Sequence, residues 1–142
     1  MPNHEHSTEN APPPVGAYPH SRRAGPFLFL SGVGPRAPKG DDIPGVTLNE
    51  EGEIVAYDVA EQTHSVFRNV RAILEASGAR WEDLVDITVF LTDMKRDFAT
   101  FNRIYAEYFT DHRPCRTTVE VGALPTPIAV ELKCIAYLPD SQ

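Results

Sequence analysis

Leu84-Val85-Asp86-Ile87-Thr88-Val89-Phe90-Leu91 is the stretch on which the fold turns. Val85, Ile87, Val89 and Leu91 alternate with more polar neighbours, so the run reads as a half-buried strand with those four side chains on one face. Helical patterns flank it on both sides. Upstream, Asp58 and Glu61 make a capping-box-like start; Val59, Thr63, Val66, Phe67, Val70, Ile73 and Leu74 then keep helical spacing until Gly78 ends it. Downstream, Phe98, Phe101, Ile104, Tyr105 and Tyr108 recur at intervals of three and four, and Pro114 returns the chain to extended form.

Working outward, Phe27-Leu28-Phe29-Leu30-Ser31 reads as a buried strand, followed by a Gly/Pro-rich loop over residues 32–45. Asn49-Glu50-Glu51-Gly52 is a turn before a short strand, Glu53-Ile54-Val55. At the other end Val130, Leu132, Cys134 and Ala136 form one apolar strand face, while Glu131, Lys133, Ile135 and Tyr137 form a mixed one that suits a subunit interface. The order ββαβαββ indicates a single α+β domain, a mixed or antiparallel sheet with two helices packed on one face, assembled as a homo-oligomer. Residues 1–14, with Pro12-Pro13-Pro14, read as a flexible N-terminal arm ahead of a domain spanning residues 15–142.

The 142 residues fit one hydrophobic core. The formal charge is −7 and no Lys/Arg run exceeds Arg22-Arg23, so nucleic acid and anionic membranes are poor partners. No apolar stretch approaches the ~20 residues of a membrane-spanning helix. Cys115 and Cys134 lack CxxC spacing and no hydrophobic signal segment opens the chain, which favours free thiols and the cytoplasm.

Two charges interrupt strand-like runs in the last third, Arg116 and Glu131. If residues 122–126 turn the chain back on itself, the flanking runs pair antiparallel, and a register matching 116 with 131 puts both side chains on one pocket wall. A guanidinium there offers a rigid fork for a small carboxylate, worth ~1.5 to 3 kcal/mol where water is excluded. Glu131 could position or deprotonate a water, or protonate a leaving amine, if burial raises its pKa. The structural alternative is a salt bridge from Arg116 to Glu120 or Glu131.

Tyr18 could reach a ligand or simply pack, and Asn102 could orient a pocket group or lie on a solvated helix face. Cys115 beside Arg116 has no evident histidine partner, since His112 falls in a turn. His4-Glu5-His6 lies in the arm, and His64 has no ligand at helical spacing of four, so no metal site is supported. Gly32-Val33-Gly34-Pro35 lacks the third glycine of a dinucleotide fingerprint. Any reaction therefore rests on a lone acid, a lone base and bound water.

At these residues the chain resembles the RidA/YjgF family of imine and enamine deaminases. The resemblance is carried by Gly16-Ala17-Tyr18, Phe29-Leu30-Ser31-Gly32, the helix over 62–78, Asp86-Ile87-Thr88-Val89-Phe90-Leu91-Thr92-Asp93, residues 98–109 with Asn102, residues 114–125, and Val130-Glu131-Leu132. It implies a chorismate-mutase-like fold, a homotrimer with clefts between subunits, and no cofactor. It further implies that Arg116 holds the substrate carboxylate, that Glu131 orients water, and that Tyr18, Gly32 and Asn102 line the pocket, with Thr118 where many members carry cysteine. The sequence leaves open whether trimers pair into hexamers.

Ser31-Gly32-Val33-Gly34-Pro35-Arg36-Ala37-Pro38-Lys39-Gly40 departs from the usual family loop and is similar to the 2-aminomuconate deaminase branch. That substrate carries two carboxylates, so Arg36 or Lys39, beside Arg22 and Arg23, would supply a second cation. The implied reaction is hydrolytic deamination of 2-aminomuconate, through its 2-imino tautomer, to 4-oxalocrotonate and ammonia. The alternatives are a general 2-iminoacid deaminase or a non-catalytic binding module.

Overall fold

The computed structural model describes residues 4–40 and 42–139. Helix α1, Val59–Ala76, begins where the Asp58 carboxylate accepts the Ala60 and Glu61 amides, and ends before Gly78, whose φ of 78° lets the chain turn away. Val66, Phe67, Val70, Ile73 and Leu74 are buried along it. Helix α2, Met94–Tyr108, is capped by Asp93 through the Arg96 amide and buries Phe101 and Ile104.

The strands are β1 Glu5–His6, β2 Ser21–Ala24, β3 Phe27–Leu30, β4 Val46–Leu48, β5 Ile54–Tyr57, β6 Leu84–Leu91, β7 Cys115–Glu120 and β8 Val130–Tyr137. Six form one sheet in the order β1-β2-β3-β8-β6-β7, and β4 with β5 forms a separate ribbon. Only β6 and β7 pair in parallel, joined through α2. The helices cover the sheet face made by Leu28, Leu30, Ile87, Val89, Leu91, Val130, Leu132, Cys134 and Ala136, all buried, so the alternation read in the last strand holds. The opposite face shows Phe27, Phe29 and Tyr137 about two-fifths exposed, with ring centroids 6.3 and 5.4 Å from Phe27 to the other two.

Three expectations are corrected. First, β7 and β8 are not a hairpin: β6 lies between them, and residues 121–129 cross its end, held by Val121 N–H to Leu91 O (2.9 Å) and Thr92 N–H to Ala129 O (3.2 Å). The helical crossover dictates this, because a strand delivered by α2 runs parallel to β6 and takes its free edge. Second, Val85 leaves the apolar face of β6; a bulge between Leu84 and Asp86 buries Leu84 and leaves Val85 exposed. Third, the stretch expected to be an unstructured arm carries a strand and an anchor: β1 pairs with β2, and Ala11 is fully buried, although most of residues 4–10 stay exposed. With β1, β2 and β4 the strand count rises from the five expected to eight; the polar composition of β1 and β2 hid those two. No helix among the described residues is long and apolar enough to cross a membrane, and both cysteines are free, Cys115 exposed and Cys134 buried.

Candidate active site

Glu131, the second residue of β8, points from the open sheet face into a cavity of about 90 Å³, room for a few waters. The cavity wall is built by the loop after β3. Val33 pairs with Leu132 through two backbone bonds (2.8 and 2.9 Å), which sets Gly32 and Gly34 on either side of that bridge. A Cβ on Gly32 would run into the Glu131 carboxylate, and one on Gly34 would meet Ile128 Cδ1 at 2.9 Å, so glycine at each position lets that side-chain end come close to the loop backbone. Tyr18, Arg36, Thr126 and Ile128 complete the wall. The Tyr18 hydroxyl accepts the Val15 amide (3.2 Å), and Arg36 donates to the Pro13 carbonyl (2.6 Å).

Burial raises the Glu131 pKa, while the Arg36 cation facing it works in the opposite direction. A carboxyl so placed is more readily protonated than one in water, the property an acid/base group needs near neutral pH. A larger groove of about 850 Å³ lies against residues 7–14, but it is open to solvent and its cation, Lys39, is not among the residues lining the Glu131 cavity. Arg22 is ion-paired with Glu5 (2.8 Å), and Arg23 donates to the Gly25 and Leu138 carbonyls. Arg36 is thus the one of the four expected second cations that lines the Glu131 cavity.

Arg116 lies elsewhere. On β7 it pairs with Ile87, whose other neighbour is Cys134, so its side chain is on the helix face. There the guanidinium carbon sits 4.6 Å from the Tyr105 ring centroid and 5.8 Å from those of Phe98 and Phe101, an aromatic shelf supplied by α2. The half-buried Thr118 shares that face two residues along, and Asn102 falls with Phe98 and Tyr105 at four- and three-residue spacing on α2, exposed. Among the described residues no carboxylate lies within 4.0 Å of Arg116, so the structural salt bridge is not formed; Glu120 instead accepts the Met94 amide (2.7 Å).

Glu131 and Arg116 therefore do not share a pocket wall within one protomer. Glu131 pairs with Phe90 on the opposite face, two strands across and three residues along, a Cα separation of about 14 Å from ordinary sheet spacings. The protomer brings together Tyr18, Gly32, Arg36 and Glu131 in one cluster, and Arg116 and Thr118, beside α2 with Asn102, in another. The shelf under Arg116 escaped the sequence reading because Phe98, Phe101 and Tyr105 carry the spacing of ordinary helix core.

Residues 8–138 match the family model described as Endoribonuclease L-PSP. The chain belongs to the RidA/YjgF family. Within that family it is 45% identical over 130 residues to a RutC family protein of Pyrococcus horikoshii, covering 92% of this chain and 94% of the relative. It is 40% identical over 132 residues to Reactive Intermediate Deaminase A, chloroplastic, of Arabidopsis thaliana, covering 93% of this chain and 64% of that protein. The crystal structure of the YjgF gene product from E. coli superposes with a TM-score of 0.80 at 36% identity, covering 94% of this chain and 98% of the other, and the α+β architecture of this RidA/YjgF protein matches it.

Proposed function

We propose that this RidA/YjgF protein is a deaminase that hydrolyses small 2-imino acids and their enamine tautomers: water adds to the C=N carbon, and the carbinolamine expels ammonia to leave the 2-oxo acid. The observation that carries the reading is Glu131, a carboxyl of raised pKa in a cavity with room for a few waters, beside a cation. Glu131 holds the attacking water, accepts its proton and returns one to the leaving nitrogen, so atoms and charge balance with no cofactor. The relative named Reactive Intermediate Deaminase A supports this class of reaction. The net charge of −7 opposes binding to nucleic-acid phosphates.

In this reading the substrate carboxylate is taken by Arg116, whose fork meets no carboxylate among the described residues of its own chain. Because Arg116 and Glu131 occupy opposite faces, one site combines the Arg116 cluster of one copy with the Glu131 cluster of the next, as in a homotrimer. Thr118, Asn102, Tyr18 and Gly32 line the cleft so formed. The partly exposed Phe27, Phe29 and Tyr137 give the sheet an apolar patch for a second copy to cover. Phe29→Glu should lower the mass measured by light scattering and abolish turnover together; a fully active monomer refutes the shared site.

2-Aminomuconate is a narrower substrate favoured by one observation, that Arg36 faces Glu131 and could hold a second carboxylate. The relatives support the general deaminase better. The test is to generate imines in situ from several amino acids with an amino-acid oxidase, and 2-aminomuconate separately, and to follow imine loss and ammonia release. Acceleration across the amino-acid imines supports the general reading, acceleration of 2-aminomuconate alone supports the narrow one, and decay at the spontaneous rate for all overturns both.

A further inference from the structure

Arg36 is held from two directions. From α1, the buried Asn69 amide donates to the Gly34 and Arg36 carbonyls (2.9 Å each), which fixes the loop backbone. From the N-terminal segment, the Pro13 carbonyl accepts the guanidinium (2.6 Å). That segment is itself tied down by His20, only 7% exposed, whose Nδ1 accepts the Thr8 amide (3.1 Å) and whose Nε2 donates to the Pro12 carbonyl (2.8 Å). A backbone N–H can only donate and a carbonyl can only accept, so the two bonds use Nδ1 as acceptor and Nε2 as donor. A void of about 30 Å³ lined by Pro12, Tyr18, His20, Gly32 and Arg36 separates this support from the Glu131 cavity.

We propose that His20 and Asn69 are positioning residues for Arg36: Asn69 sets its backbone, and His20 holds the segment whose Pro13 carbonyl keeps the guanidinium turned toward Glu131. The catalytic consequence rests on the deaminase reading, while the placement of the charge does not. The ionisable groups lining the Glu131 cavity are Arg36 from the loop and Tyr18 from the N-terminal segment, while Lys133, two residues along the same strand, has its ammonium committed to the Leu30 carbonyl (2.6 Å). Loss of the Arg36 contribution therefore shifts the Glu131 titration upward, because burial is then opposed by less positive charge.

The test is a carboxyl-13C NMR titration of Glu131 in the full chain, for wild type, Arg36→Met, His20→Ala, His20→Asn and His20→Gln, with melting temperatures recorded. His20→Asn keeps a group at the Nδ1 position without reaching Pro12, and serves if His20→Ala does not fold. The expected result is an upward shift of the midpoint in Arg36→Met, a shift of the same sign in His20→Ala and His20→Asn, and recovery in His20→Gln, whose amide reaches the Pro12 carbonyl. A wild-type midpoint in folded His20→Ala or His20→Asn, with or without a lower melting temperature, overturns the proposal, as does an unshifted Arg36→Met. In the same variants the acidic limb of kcat/KM for imine hydrolysis should track the NMR midpoint. NMR shifts in a protein without deaminase turnover would overturn the functional reading and leave the positioning role standing.

Discussion

Gly32→Ala separates stability from function at a single methyl group. The new Cβ would overlap the Glu131 carboxylate oxygen and sit 3.0 Å from its Cδ, so the carboxylate must retreat by about an ångström to restore ordinary contact. The obstacle is the far end of a flexible side chain, and Gly32 is not among the positive-φ glycines, so an alanine backbone is unstrained there. On the stability side, Gly→Ala at a compatible position is neutral or gains about 0.4–1 kcal/mol by restricting the unfolded chain. On the catalytic side, displacing an acid/base group by ~1 Å costs on the order of 100-fold in rate, which corresponds to about 2.7 kcal/mol of transition-state free energy. Urea midpoints and kcat/KM for an in situ imine, measured on the same preparation, give both numbers. Wild-type kcat/KM would refute the acid/base role of Glu131, and a loss of more than ~2 kcal/mol of stability would refute the claim that only the carboxylate yields.

Arg116→Ala should lower kcat/KM by roughly 10- to 150-fold, the equivalent of one charge-assisted bond, and Arg116→Lys should recover little because the shelf of Phe98, Phe101 and Tyr105 suits a planar guanidinium; equal rates in Arg and Lys forms would refute this. Tyr105→Phe removes a hydroxyl that is buried without a hydrogen-bond partner, so chemical denaturation should show a change from zero to about +1 kcal/mol rather than a loss. Tyr57→Phe removes the donor to the buried Asp97 carboxylate (2.5 Å) and should cost about 1.5–3 kcal/mol near neutral pH. Burial raises the Asp97 pKa, so its stabilising effect is full below the unfolded carboxylate value and is lost as pH rises through the folded one; the Tyr57 hydroxyl counters that loss. The cost of Tyr57→Phe should accordingly shrink in acid, and a pH-independent cost would refute the assignment.

What was legible in the chain was local. The Asp58 cap, the spacing from Val59 to Leu74 and the alternation from Val130 to Ala136 report which side of an element is apolar, and those faces are buried. What was not legible was pairing. Nothing between Val121 and Ala129 says whether the chain turns back beside β7 or crosses the end of β6, because both routes begin with a turn; the difference lies in the α2 crossover that had already given β7 its neighbour. The Val85 bulge hides for a related reason: one extra residue leaves the hydrophobic alternation intact on paper while reversing which residue is buried. Glu5-His6 and Ser21-Arg22-Arg23-Ala24 carry too little β-propensity to read as strands and owe their structure to the edge they dock on. At the site, residue chemistry singled out Arg116 and Glu131, but placing them depends on sheet order, which residue type does not encode.

The electrostatics of the two clusters give this separation a purpose. In a lone protomer Arg116 is half-buried on its aromatic shelf, and Glu131 is half-buried beside Arg36, so each is still partly screened by water. In the assembly proposed above, bringing the Arg116 face of one copy against the Glu131 face of the next would remove that water from both groups at once. The guanidinium would then bind a carboxylate more strongly, as charge-assisted bonds do in low dielectric, and the added burial would raise the proton affinity of Glu131 further. Arg36 limits that rise, since an unopposed buried carboxyl would stay protonated and could not accept a proton from water. A loop cation with its own structural support is therefore a reasonable counterweight in the two-chain site proposed above.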